Sequence, residues 1–217
     1  MATMISQAAP GRASARRLAT VEEALDHAQA IVAEQGAGAV TVSEIARRMG
    51  MRAPSLYKYF PSLHAIYDGL FARGNVQLAQ YIDDALHGCE PGLDCLLEGQ
   101  RAFIRWSTRE VGLAPLLLWR PIPGFEPSAD SYAPAQALWQ RGRDELRTAV
   151  HRHQLIKAAD SDEAMRMLTA AIAGVSSQQL ANQPGARFED GLFTSLTEEV
   201  LDMFVSHYSA PERKVRR

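Results

Sequence analysis

Residues 41–60, TVSEIARRMGMRAPSLYKYF, constrain this chain more than any other stretch. Thr41 and Glu44 form a Thr-x-x-Glu capping box, in which each side chain can satisfy a backbone N–H left open at a helix start. Val42, Ile45, Ala46 and Met49 then fall at i, i+3, i+4 and i+7, a single apolar stripe. Gly50 stands where a left-handed residue ends a helix, and Pro54 sits in the opening turn of the next, where its missing N–H costs nothing. The stretch therefore predicts helix, turn and helix. In the second helix Leu56 and Phe60 share one face, while Ser55, Lys58 and Tyr59 share another. A short, anchored helix with a polar, basic and aromatic face suits the major groove of duplex DNA.

The rest of the chain predicts an all-α fold, because period-3.6 patterns dominate and no strand-length alternation of apolar and polar residues occurs. With 217 residues it can bury a substantial core without disulfides or metals. The formal charge of −2 does not favour nucleic acid by itself. Within 41–60, however, Arg47, Arg48, Arg52 and Lys58 face only Glu44, a local basic footprint of the kind phosphate contacts need. Arg47 and Arg48 point away from the apolar stripe, as solvated cations also would. The two cysteines, Cys89 and Cys95, lack zinc-type spacing and read as free thiols in a reducing compartment. The longest apolar run, around 165–175, is well short of the roughly 18 residues a spanning helix needs. A soluble, cytoplasmic protein without membrane attachment is expected.

Taken in order, residues 1–18 carry Arg12, Arg16 and Arg17 among small and polar residues and predict a mobile basic arm. A second capping box, Thr20 and Glu23, opens helix 1, whose stripe of Val21, Leu25, Ala28 and Ile31 ends at Gly36. These elements make a three-helix DNA-binding domain over 19–61. A ligand-binding and dimerisation domain follows over 62–209, then a basic tail over 210–217. Its first helix is long, from the N-cap Ser62 to about 86, with its early turns facing the small domain. Further helices are expected over 93–109, 135–154, from 160 to 182 and from 188 to 208, with a proline-rich loop over 121–134. The last two carry apolar residues on two sides, which predicts half of a symmetric four-helix homodimer interface. Its candidate residues are Met167, Ala170, Gly174, Ser177, Phe193, Leu196, Val200, Leu201, Phe204 and Val205.

The order and lengths of helix 1, TVSEIARRMG, the turn, APSLYKYF and the long helix after it resemble the TetR-like (tetracycline-repressor) family of bacterial transcription regulators, over about 20–70. The resemblance implies an all-helical homodimer that binds a palindromic operator and a small-molecule effector. Ala53, Pro54, Ser55, Tyr57, Lys58 and Tyr59 match the family's operator-contacting helix, and Thr41 and Ser43 its phosphate-contacting start. Tyr57 and Tyr59 also fit as core aromatics. Two positions depart from the family pattern. Arg52 replaces a frequent capping Ser and becomes a candidate phosphate contact, and Leu63 replaces a frequent Lys.

Candidate walls of an effector pocket are Gln100, Phe103, Trp106, Leu117, Trp119, Phe125, Leu138, Trp139 and Gln178, an apolar and aromatic set with neutral polar anchors. No cofactor, metal site or catalytic residue is expected. The sequence has no Gly-rich phosphate loop, no His-Glu-x-x-His, no Gly-x-Ser-x-Gly and no Glu-x-x-His. The expected function is a ligand-responsive DNA-binding regulator, in the first instance a repressor. The alternative is an all-helical enzyme, or a protein-binding dimer without operator specificity.

Overall fold

The computed structural model describes residues 11–209, and among them all regular structure is helical, with no strand. Helices α1 (Arg12–Gln35), α2 (Val42–Arg48) and α3 (Ala53–Leu56) build the small N-terminal module. Helix α4 (Leu63–Ala85) leads from it into a bundle of α5 (Leu93–Arg109), α6 (Ala114–Trp119), α7 (Ala129–His151), α8 (Asp162–Asn182) and α9 (Thr197–Tyr208). The all-α expectation holds. At 1.5 Å per residue α4 is about 34 Å long, and it packs against α1, α5, α6 and α7 in turn.

The centre of the module follows the sequence reading closely. Thr41 caps α2 by accepting a hydrogen bond from the Glu44 N–H at 3.1 Å. The reciprocal half of the box is not made, because the Glu44 carboxylate turns to Arg47 and Arg48 instead. Gly50 is left-handed at φ 66°, with its N–H on the Arg47 carbonyl and the Met51 N–H on the Ala46 carbonyl. That pair of bonds is a Schellman stop, and it aims α3 away from α2. Helix α3 is shorter than expected: regular helix ends at Leu56, and the N–H groups of Tyr59 and Phe60 both bond the Leu56 carbonyl. Leu56 and Phe60 are buried, so the reading segment is anchored as its stripe requires.

Helix α1 differs more. It opens at Arg12, so the part of the expected arm from 12 to 18 is helical, and Thr20 lies inside the helix with its hydroxyl donating to the Arg16 carbonyl. Arg, Ala and Leu are good helix formers, and Arg17 gains a tertiary partner described below. The remainder of the arm, 1–10, and the basic tail, 210–217, lie outside the described residues.

Three other boundaries move, two of them because side chains distant in sequence hold the preceding segment. Helix α7 starts at Ala129 rather than 135: the Ser128 hydroxyl accepts from the Ser131 N–H, while the Ser128 N–H and hydroxyl both reach Asp68 of α4 at 2.8 Å. The expected loop shrinks accordingly, and Pro134 sits in the second turn, where only the Asp130 carbonyl loses its helical partner. Helix α8 is capped by Ser161 and begins at Asp162. Helix α9 begins at Thr197 rather than 188, since buried Gln179 accepts from the N–H groups of Phe193 and Thr194 and holds the preceding segment in 3-10 turns.

Two apolar clusters make up the core. The first joins Ala28, Ile31, Ile45 and Leu56 of the module to Ile66 and Leu70 of α4, and continues to Leu113, Leu116 and Phe125. There is no packing break at 61 and 62; a three-helix unit this small has too little interior of its own and shares that of α4. The second cluster joins Leu96 and Ile104 of α5, Leu146 of α7, Leu168 and Ile172 of α8, and Leu201 and Phe204 of α9.

Candidate DNA-reading surface and effector cavity

Thr41, Ser43, Arg52, Pro54, Tyr57 and Lys58 are exposed, and Ala53, Ser55 and Tyr59 are half-buried. Tyr57 is 52% exposed and takes no part in the core. Tyr59 is covered by Arg17 of α1, whose guanidinium lies 5.4 Å from the ring centroid and donates to the Lys58 carbonyl at 3.0 Å. Arg17 therefore fixes the backbone at the end of the reading segment. The first turns of α1 thus have a role that no local pattern signals.

Arg48 is largely buried and bonds Glu44 at 3.0 Å and Glu34 of α1 at 2.7 Å, so it staples α2 to α1. Arg47 is exposed but engaged by Glu44 at 2.7 and 2.8 Å. Hydrogen bonds from Arg47 and then Arg48 pull the Glu44 carboxyl down to about 2. A carboxyl lowered in this way contributes its stability above the ordinary carboxylate range and loses it as pH falls towards about 2, so the staple is fully formed at neutral pH. Arg52 caps α3 with its backbone alone, its carbonyl accepting from the Ser55 N–H, and its side chain is left at the surface. Leu63, where a lysine was the family expectation, packs against the first cluster.

A cavity of about 360 Å³ opens between α4, α5, α6, α7 and α8. Of the expected walls, Gln100, Phe103, Leu117, Leu138 and Trp139 line it. The other four do not. Trp106 and Phe125 are buried in the first cluster. Trp119 is exposed, its indole N–H donating to the Ser177 hydroxyl at 2.9 Å, and Gln178 is exposed and accepts from Asn182. The structure adds Phe71, Asn75, Leu78 and Ile82 of α4 to the lining. Their spacing of i, i+4, i+7 and i+11 is that of one helical stripe, but nothing local distinguishes a cavity wall from a packed face.

Most polar groups of the lining are already engaged. Arg141 pairs with Asp83, Glu145 accepts from the Gly92 N–H at 2.7 Å, and the Asn75 amide donates to the Phe71 carbonyl at 3.0 Å. Burial, reinforced by neighbouring Cys89, pushes the Cys95 thiol up to about 12, so this cavity residue stays protonated and unreactive. Among the described residues no group of three or more His, Cys, Asp or Glu is gathered to hold a metal ion.

Between cavity and module lies a tight joint. Phe125 packs against His64, Tyr67 and Phe71 of α4 with ring centroids 6.1 to 6.3 Å apart. Tyr67 donates to the Ala37 carbonyl, beyond α1, at 2.7 Å. Asp68 clamps the start of α7; burial alone would raise its carboxyl, but hydrogen bonds from the Ser128 N–H and from the hydroxyls of Ser131 and Ser128 outweigh it and hold it below the usual range.

On the far side of the bundle, the expected dimer set divides. Leu201 and Phe204 are buried in the second cluster of the single chain and cannot face a partner; the rotation of α9 that packs them against the bundle turns Met203 outward instead. Ser177, Phe193, Val200 and Val205 are half-buried, and Met167, Ala170, Gly174 and Leu196 are exposed. Leu192 and Met203, at 65% and 72% exposure, are also large apolar side chains left uncovered by the single chain.

Among the described residues no helix is long and apolar enough to cross a membrane. Residues 24–68 match the family model of bacterial regulatory proteins of the tetR family. No curated protein sequence matches the chain significantly. Solved structures share its architecture at low identity. The TetR family transcriptional regulator PfmR from Thermus thermophilus is 17% identical, with a TM-score of 0.62 over 89% of this chain and 96% of that one. FadR from Bacillus subtilis, in complex with stearoyl-CoA, is 16% identical, with a TM-score of 0.61 over 85% and 97%. RolR in complex with resorcinol is 12% identical, with a TM-score of 0.61 over 94% and 98%. The family match covers the helix-turn-helix described above, so residues 24–68 carry the N-terminal region of the tetR family, and the all-helical fold of the chain is similar to that of TetR-family regulators of known structure.

Proposed function

We propose that the protein is a homodimeric, ligand-responsive regulator, a repressor released from a palindromic operator by a small apolar or aromatic effector. The observation that carries this reading is the double role of α4: its first turns share the core of the reading module, while Phe71, Asn75, Leu78 and Ile82 further along line the cavity. Two proteins of similar fold, FadR and RolR, are known with stearoyl-CoA and resorcinol respectively, which supports a binding role for the cavity. An effector that prefers one position of α4 shifts the separation of the two reading segments in a dimer away from one turn of duplex, about 34 to 36 Å. Coupling of about 1–3 kcal/mol lowers operator affinity some 5- to 150-fold, and by linkage the operator weakens the effector equally.

Selection of bound sequences from random duplex DNA by the purified protein is the direct test. A palindrome with half-sites one turn apart is the expected result; an unenriched pool would sink the regulator reading and favour a protein-binding or enzymatic dimer. On the selected duplex, Lys58→Ala is expected to weaken binding by about a hundredfold or more, since a lost charge-assisted bond is worth about 1.5–3 kcal/mol and each dimer loses two. Unchanged affinity across a salt titration would remove Lys58 from the contact surface.

Arg17→Ala is expected to weaken the same duplex about three- to tenfold with little change in melting temperature, because it frees the Lys58 carbonyl and uncovers Tyr59 without opening the core. Faster amide exchange over 57–60 in Arg17→Ala marks it as a positioning residue. An unaltered exchange pattern would mean that the contact orders nothing.

A further inference from the structure

We propose that the cavity takes an amphipathic anion, an apolar chain or ring ending in a carboxylate, and that Arg120 receives the carboxylate. This rests on the effector-binding reading of the cavity and goes beyond it by naming the head group.

Arg120 ends α6 and lines the cavity while remaining exposed to solvent, which places its guanidinium at the boundary between the two. Among the charged groups of the lining it stands apart. Arg141 is paired with Asp83 and Glu145 is spent on the Gly92 N–H, whereas Arg120 has no carboxylate or carbonyl partner among the described residues. What holds it is aromatic: its guanidinium lies 5.7 Å from the Phe71 ring and 5.4 Å from the Tyr132 ring, and those rings are stacked at 18°. A cation held over ring faces is positioned without using its N–H groups, which lie in the guanidinium plane. The planar fork therefore keeps its full set of donors for a ligand, in the geometry that matches a carboxylate bidentately.

The backbone provides a second, independent observation. Arg120 occupies the left-handed region, with φ 44° and ψ 60°, at a helix C-terminus where glycine or asparagine is usual. An arginine there carries a backbone cost that glycine would avoid, and such strained residues cluster at ligand clamps. The remaining walls set the body of the ligand. Leu78, Ile82, Phe103, Leu117 and Trp139 are apolar, and a volume of about 360 Å³ suits a ligand at the small end of the usual range of about 300–1,000 Å³. The pairing of an apolar chamber with one unengaged cation at its edge is what a medium-chain or aryl carboxylate requires.

Calorimetric titration of the full-length protein with decanoate and 4-phenylbutanoate, each beside its neutral alcohol, tests the assignment in the wild type, Arg120→Gly and Arg120→Lys. At least one carboxylate is expected to bind the wild type more tightly than its alcohol. Arg120→Gly should weaken that carboxylate by about ten- to a hundredfold, leave the alcohol unchanged and not lower the melting temperature, because glycine accepts the left-handed backbone. Arg120→Lys should recover part of the loss. Equal binding of acid and alcohol, no binding of either acid, or indifference to Arg120→Gly overturns the proposal. Selection of DNA is read separately. A protein that binds the acid through Arg120 but enriches no operator sinks the regulator reading and keeps this one, and the converse sinks this one alone.

Discussion

Replacing Leu196 and Met203 together with glutamate is expected to give a folded monomer whose operator affinity is lower by about 10²–10⁴-fold. Both side chains are exposed in the single chain, at 47% and 72%, as are Met167 and Leu192. Large apolar side chains exposed on the two terminal helices fit the proposed dimer interface. Two charges on each copy would have to be desolvated opposite their equivalents across a two-fold axis, which repels like from like. Folding is little affected, because exposed substitutions usually change stability by no more than about 0.5 kcal/mol. Operator affinity falls steeply because two linked half-sites gain their avidity from being held together. Sedimentation equilibrium reports the mass, and fluorescence anisotropy with the selected duplex reports the affinity. A variant that stays dimeric would move the interface elsewhere, and a monomer with undiminished affinity would end the two-fold reading.

Leu56→Ala should be the most damaging single change to the reading module. Leu56 is fully buried in the cluster that holds Ile45 and Phe60, and Leu→Ala changes at such sites cost about 2–5 kcal/mol. The module's share of the core is small, so the loss falls on the segment that Leu56 anchors before it reaches the second cluster around Leu168 and Leu201. Amide exchange is expected to accelerate first over 41–60, with DNA binding lost at temperatures where the bundle remains folded. A uniform fall in protection across the whole chain would instead show that module and bundle unfold as one unit. Tyr57→Ala is the matched control: its side chain is exposed, so DNA binding should respond and the melting temperature should not.

The parts of this protein that could be read from its sequence are those fixed by interactions a few residues long. The Thr41 cap, the left-handed Gly50, the burial of Leu56 and Phe60 and the exposure of Lys58 all follow from helical periodicity and from hydrogen bonds closed within one or two turns. The all-helical class, and with it the resemblance to the TetR-like family, rests on the same local rules.

What only the tertiary structure decided involves partners far apart in the chain. Helix α1 runs back to Arg12 with Arg17 held by the carbonyl of Lys58; α7 starts early because Ser128 is clamped by Asp68; the turns before α9 are set by Gln179. The cavity depends on the same kind of choice. Trp106 and Trp139 are both aromatic residues on amphipathic helices, yet one is core and the other wall, and a helical stripe does not say whether the space it faces is filled. On α9 the difference between Leu201 inside and Met203 outside is a rotation of the helix about its axis. Both residues are apolar, and with 3.6 residues per turn the pattern permits either face inward. Only close packing against α8 and the bundle selects one of them, because an interior at crystal-like density admits a single rotation.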